Sequence, residues 1–155
     1  MKPRRVEVKL SLPVVAPLLD VVKELADGLK QTLAAKPALP DSDAIFREVW
    51  NGELLSNQNE DVSALLSLFN EEFFTEGMVA FDQNNAESIA RACSAVRLRL
   101  RELYLMPLGD EALEIGEVEL AKLSEPIRKA FMCYLFLATI QELIIQHLDE
   151  SIIGS

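Results

Sequence analysis

The sequence predicts a mainly α-helical domain, a bundle of about five helices with a small two-stranded β element. The strongest observation is the segment of residues 126–147, which is apolar nearly all round and has no glycine, as is typical of a buried helix. Other segments place apolar residues at helical spacing, whereas residues 5–11 and 78–81 have the patterns of strands. A chain of 155 residues is the size of one domain, so we expect residues 1–155 to share one core.

The N-terminal part begins with a strand and continues with a helix. Val6, Val8 and Leu10 alternate with polar residues, which is the period-two pattern of a half-buried strand. An amphipathic helix then begins near Pro13 and carries a continuous apolar stripe to about Ala35.

The middle of the chain predicts two helices separated by an Asn-Gly pair. Residues 36–40 contain two prolines and predict a connector. A short helix over residues 44–50 is expected to end at residues 51–52, and the polar residues 56–59 cap a further helix that runs to Gly77. Its acidic residues are Glu60, Asp61, Glu71 and Glu72. They form either a solvated face or a surface for a basic partner.

The second half predicts a strand and two long helices. Residues 78–81 should pair with the N-terminal strand, because a lone strand leaves its backbone donors and acceptors unpaired. Asn85 caps a helix with an inward stripe. The stripe consists of Ile89, Ala92, Cys93, Val96, Leu100 and Leu103. Residues 107–110 predict a loop, residues 113–120 fit a strand or a frayed helical turn, and the terminal helix begins after Ser124.

The terminal helix is also the candidate for a membrane span. A span needs about 20 residues nearly free of charge. Here polar and charged residues interrupt the apolar run: Arg128, Lys129, Gln141 and Glu142. We therefore expect a buried helix with no membrane contact, apolar also on the side of Met132 and Phe136.

Charge argues against nucleic acid as a partner. The net charge is −10, from 25 acidic and 15 basic side chains, so the electrostatic attraction on which nucleic-acid binding depends is absent. The basic N-terminus is not followed by the apolar run of a signal peptide, since Glu7, Lys9 and Ser11 intervene. We therefore expect a cytoplasmic protein.

Few residues have the chemistry of a catalytic centre. His147 is the only histidine, which excludes metal sites built on two imidazoles, and no glycine-rich phosphate motif or nucleophile elbow occurs. We expect no metal and no cofactor. Cys93 and Cys133 lie in apolar helical patterns and are expected to be buried thiols, with a thiol redox sensor as the alternative function.

Two polar pairs stand in otherwise apolar helices. Arg97 and Arg101 are one turn apart, and Gln141 and Glu142 interrupt the terminal helix. A charge in a buried helix requires a partner, so we predict a structural ion pair in which Glu142 or Gln141 bonds Arg97. The alternatives are that these groups face solvent, or that the arginines bind a small anion in a pocket.

Residues 86–100 and 134–148 carry a family resemblance. The first contains Arg-Leu-x-Leu after a run of small residues, and the second contains Leu-x-x-x-Gln-Glu. With the order of elements, they resemble an uncharacterised bacterial family, number two thousand and seventeen among the domains of unknown function. The resemblance implies a cytoplasmic helical protein without an assigned reaction. Genes of that family often lie beside a Clp protease adaptor gene, which implies a regulatory or adaptor role.

These observations favour a non-enzymatic interaction or regulatory protein, linked to Clp-type proteolysis by the family resemblance. Half of the residues are apolar despite the high charge, so we expect a self-associating apolar face and a homodimer beside an unknown protein partner. A protein or enzyme that binds a small anion through Arg97 and Arg101 is the alternative from another class. An exposed apolar patch with an acidic groove would favour the interaction protein, and an enclosed cavity beside the arginines would favour the other.

Overall fold

The computed structural model describes residues 5–34, 44–109 and 122–153. Its elements are β1 (Val6–Lys9), α1 (Leu12–Leu29), α2 (Ala44–Leu66), α3 (Glu71–Glu76), β2 (Met78–Phe81), α4 (Ala86–Leu100) and α5 (Glu125–Ile153). The predicted mainly α-helical fold with a small two-stranded sheet is confirmed. The predictions for residues 36–40 and 113–120 lie outside the described residues.

β1 and β2 form the predicted antiparallel pair, with Val6 opposite Phe81 and Lys9 opposite Met78. The pairing continues beyond the strands, where the Leu10 amide donates to the Gly77 carbonyl at 2.8 Å. Gly77 has a φ of 73°, and a Cβ atom there would lie 2.6 Å from the Leu10 carbonyl oxygen. Only glycine fits this position, because both the backbone conformation and the contact exclude a side chain.

α1 ends at Leu29, earlier than the predicted Ala35, because side chains of α2 bind its last carbonyl groups. Gln58 Nε2 donates to the Leu29 and Thr32 carbonyls at 2.7 and 2.9 Å, and Gln58 Oε1 accepts from the Ala34 amide at 2.9 Å. The predicted role of the polar residues 56–59 as a cap of their own helix is therefore wrong. They lie inside α2, where Gln58 and Asn59 donate hydrogen bonds to carbonyl groups at the end of α1.

α2 passes through the Asn-Gly pair at residues 51–52, so the predicted helix end there is wrong. A glycine inside a helix costs only about 1 kcal/mol relative to alanine, which the rest of a 23-residue helix offsets. The predicted single helix to Gly77 is also divided. α2 ends at Leu66, and α3 begins after Asn70, whose side chain accepts from the Phe73 amide at 3.3 Å.

α4 buries the predicted stripe from Ile89 to Leu100, but Leu103 is 57% exposed. The reason is a π-helical turn over Arg101–Leu105, in which successive inward positions are five residues apart instead of three or four. Leu105 therefore takes the buried position that the helical spacing assigns to Leu103.

α4 lies between α2 and α5, and α1 contacts α5, α4 and α2. The buried apolar side chains of these elements form one cluster. α5 buries Phe131, Leu137 and Ile144, but Met132 and Leu135 are exposed, so burial on nearly all sides is wrong for this helix. Among the described residues, the Glu125–His147 part of α5 is long and apolar enough to cross a membrane by length and composition alone.

Candidate functional site

A groove of about 620 Å³ separates α2 from α4 and is closed at one end by the residues that follow α1. Its lining consists of Leu33, Ala34, Leu54, Asn57, Gln58, Glu60, Asp61, Ser88, Arg91, Ala92, Ser94, Ala95 and Leu98. This volume lies within the usual range of binding sites, which is roughly 300–1,000 Å³. The groove is therefore the main candidate for a binding site in the described part of the chain.

A bidentate ion pair joins the two walls of the groove. Arg91 of α4 donates from Nε and Nη2 to the two carboxylate oxygens of Asp61 at 2.9 and 3.0 Å. Glu87 lies 3.7 Å from the same guanidinium, and the hydrogen bond to Asp61 raises the pKa of Arg91. Because two carboxylates already surround it, Arg91 holds the helices together and offers little attraction to an anion.

Apolar side chains extend the groove toward the beginning of α2. Trp50 is 40% exposed, and its spacing to Leu54 and Asp61 places the three residues on one face of the helix. Leu98 is 43% exposed on the opposite wall. Ile45 and Val49 are also exposed, and they are one turn apart on a neighbouring face of α2, about 100–140° around the helix from Trp50.

The rims of this groove are acidic. Glu60 lines it, and Glu53 of α2 and Glu87 of α4 are exposed beside it. Within the described ranges, no Lys or Arg lies within ion-pair distance of Glu53 or Glu60, whereas Glu87 shares Arg91 with Asp61. The groove thus combines apolar and polar lining residues with a negative border.

The predicted site residues lie elsewhere, where α4 meets α5. Arg97 Nη1 donates to Gln141 Oε1 at 2.6 Å, and the guanidinium carbon lies 4.4 Å from the centre of the Tyr134 ring. Gln141 Nε2 donates to the Ala90 carbonyl at 2.8 Å and to the Ser94 hydroxyl at 2.6 Å. The structure thus joins Arg97 to Gln141, the second of the two partners named by the sequence.

The term ion pair is wrong for this contact, because Gln141 carries no charge. Its amide suits the position since it accepts from Arg97 and also donates to α4, which a carboxylate cannot do. Glu142 follows at about 100° around the helix and is exposed. Arg97 Nε is buried and has no hydrogen-bond partner among the described residues.

Arg97 and Arg101 do not line the α2–α4 groove, nor the smaller cavity of about 200 Å³ between the end of α1 and Arg99. Arg101 is half-buried in the π-helical turn. These positions give no geometric support to an anion clamp formed by the two arginines.

Both thiols are buried, and burial raises the pKa of Cys93 and of Cys133 to about 12. Arg97 opposes this shift at Cys93, and Lys129 opposes it at Cys133. Thiols with such pKa values are protonated at neutral pH and react slowly. His147 lies edge-to-face on Phe81 at 5.9 Å, and the described residues include no cluster of three or more His, Cys, Asp or Glu side chains suited to a metal.

Sequence reasoning missed the groove because it ended the first part of α2 at residues 51–52. With that helix continuous, Trp50, Leu54, Asn57 and Asp61 follow helical spacing and mark one face. The signal was therefore present in the sequence. No family model, curated protein or solved structure matches the chain, so the family resemblance of residues 86–100 and 134–148 stays a prediction.

Proposed function

We propose that this protein is a non-enzymatic interaction or regulatory protein that binds another protein through the first half of α2. The observation that carries the proposal is the exposure of three large apolar side chains, Ile45, Val49 and Trp50, within the first two turns of α2 on a chain with a net charge of −10. Large apolar side chains that are clustered on the surface of a soluble protein commonly mark an interaction site. In a highly charged protein, apolar side chains that stay exposed contribute little to folding, so we assign them to contact with a partner.

The acidic groove beside this surface also supports the proposal, because an apolar patch with a charged rim is the usual composition of a protein interface. The family resemblance, with its link to a Clp protease adaptor, points in the same direction. It suggests that the regulated process is proteolysis. The cytoplasmic location belongs to the same proposal.

The alternatives have less support from the geometry. Arg97 is committed to Gln141 and Tyr134, which leaves its guanidinium poorly placed to bind an anion. The two cysteines are buried thiols with raised pKa values, whereas a redox sensor needs an accessible thiolate.

Affinity capture from a bacterial lysate tests the proposal when wild type is compared with two charge variants. Val49→Lys alters the apolar surface of α2, and Glu71→Lys/Glu72→Lys alters the acidic α3. Both sets of side chains lie at the surface. We expect a specific protein that wild type and the α3 variant retain and Val49→Lys loses. The purified partner should then bind wild type in a fixed ratio by calorimetry.

If the α3 variant alone loses the partner, the binding surface is the acidic helix and our assignment to α2 is wrong. If no purified protein binds wild type at a fixed ratio, the proposal of an interaction protein is itself rejected.

A further inference from the structure

We propose that the α2–α4 groove binds an amphipathic, positively charged helix of a partner protein. This inference rests on the proposed function and adds the chemistry of the partner.

The groove has the dimensions of a site for one helix. Its walls are two neighbouring helices joined by the Asp61–Arg91 pair, and its lining residues run from Leu54 to Asp61 on α2 and from Ser88 to Leu98 on α4. On α4, the distance from Ser88 to Leu98 is about three helical turns, or roughly 15 Å. A helix of about that length presents apolar residues at positions i, i+4 and i+7 along one groove.

The side chains in the groove suit the apolar face of a partner helix. Leu54 of α2 and Leu98 of α4 supply apolar contacts on opposite walls, and the small Ala92 and Ala95 leave room between them. Trp50 lies one turn before Leu54 on the same face of α2 with 40% of its surface exposed, and tryptophan is among the residues that contribute most to binding energy at interfaces. Docking a helix here would bury side chains that are now in contact with water.

Charge decides which helix fits. Glu53, Glu60 and Glu87 are exposed at the rims, and the cation of the groove, Arg91, is already bound by Asp61 and Glu87. Lysine or arginine residues that flank the apolar face of a partner helix would therefore meet the carboxylates of Glu53 and Glu60. A second copy of this chain is a poorer occupant of this groove, because a chain with 25 acidic and 15 basic side chains offers few cations to an acidic rim.

The chain carries its own reporter at the site. Trp50 is the only tryptophan, so the wavelength of its fluorescence follows burial of this one position. The probe is a synthetic peptide of leucine and lysine, about 14 residues long, with leucines at helical spacing. One control peptide has glutamate in place of lysine, and a second has the same leucines and lysines in alternating order, which cannot form an apolar helical face.

We expect the lysine peptide to shift the Trp50 emission to shorter wavelength, with saturation at one peptide per chain, and both control peptides to leave it unchanged. Leu98→Lys should weaken binding at least about tenfold, since it removes an apolar contact and adds a like charge. The matched control Leu103→Lys changes a leucine that is 57% exposed and does not line the groove, and it should bind as wild type does. Circular dichroism verifies that both variants are folded.

The inference is overturned if the lysine peptide leaves the emission unchanged, if the glutamate peptide binds equally well, or if both variants lose binding to the same extent. An emission shift on raising the protein concentration without peptide would assign the groove to a second copy instead. These results leave the proposed function intact as long as Val49→Lys still loses a protein partner. If wild type retains no specific protein but binds the lysine peptide as expected, only the proposed function is rejected.

Discussion

Gln141 links α4 to α5 through both ends of its amide, and Arg97 depends on it as a hydrogen-bond acceptor. Gln141→Leu leaves the half-buried cation without that acceptor, and a hydrogen bond to a charged group contributes about 1.5–3 kcal/mol. We therefore expect Gln141→Leu to lower the free energy of unfolding by about 2 kcal/mol. Glu142→Leu, at the neighbouring exposed position, should change it by less than about 0.5 kcal/mol.

Urea unfolding measures both changes, and Arg97→Met completes the comparison. If Gln141 acts through Arg97, the double variant should be more stable than the sum of the single losses predicts. Additive losses would show that the amide acts mainly through Ala90 and Ser94.

Cys93 and Cys133 make stability depend on alkaline pH. Their pKa values rise from 9.0 to about 12 on folding, because burial disfavours the thiolate. Below pH 9 both thiols are protonated in the folded and the unfolded chain, and their contribution to the free energy of unfolding is fully present. Between pH 9 and 12 only the unfolded chain loses protons, so stability falls by up to about 1.4 kcal/mol per thiol for each pH unit.

The expected result is a steeper loss of thermal stability between pH 8.5 and about 10.5 in wild type than in Cys93→Ala/Cys133→Ala. The two proteins differ only at the thiols, which makes the difference between the curves specific to them. Parallel curves would mean that the thiols ionise without unfolding.

At the level of elements, the π-helical turn over Arg101–Leu105 decides which leucine enters the core. Leu105→Ala removes a fully buried side chain and should cost about 2–5 kcal/mol, whereas Leu103→Ala removes an exposed one and should cost less than about 1 kcal/mol. Denaturant unfolding of the two variants measures the difference. A larger loss for Leu103→Ala would mean that α4 continues as a regular helix.

The elements also show what the sequence could predict. The β1–β2 pair and the Gly77 turn follow from alternation, an unpaired strand and a glycine, all of which are local signals. Helix ends were less predictable, because they depend on distant residues. Gln58 ends α1 from the middle of α2, and no pattern near Leu29 indicates that contact.

The predicted contact between Arg97 and Gln141 follows from the rule that a polar group in an apolar helix needs a partner. The α2 face of the groove follows from helical spacing once α2 is continuous, but the groove itself does not, since it requires the relative position of α2 and α4. The ion pair of Asp61 with Arg91 requires the same relative position. It was missed also because both residues have the spacing of ordinary surface charges.

For the whole molecule, we still predict a homodimer, and the exposed apolar side chains of α5 are the face that would form it. Met132 and Leu135 are one turn apart and uncovered. In light scattering after gel filtration, wild type should have twice the 17.3 kDa mass of one chain, and Met132→Lys/Leu135→Lys should have the mass of one. A wild-type mass of one chain would reject the dimer, and an unchanged mass for the variant would place its contact on another face.

The pairing of β1 with β2 also has a consequence for biosynthesis. β1 is made early, but its partner strand lies beyond α1, α2 and α3 in the sequence. The ribosome must therefore release the chain past Phe81 before the sheet can close, and Val6 and Val8 stay uncovered during that time. The earlier strand of this pair thus finds its partner late, and a nascent chain that stalls before Phe81 exposes an open strand edge to chaperones and proteases.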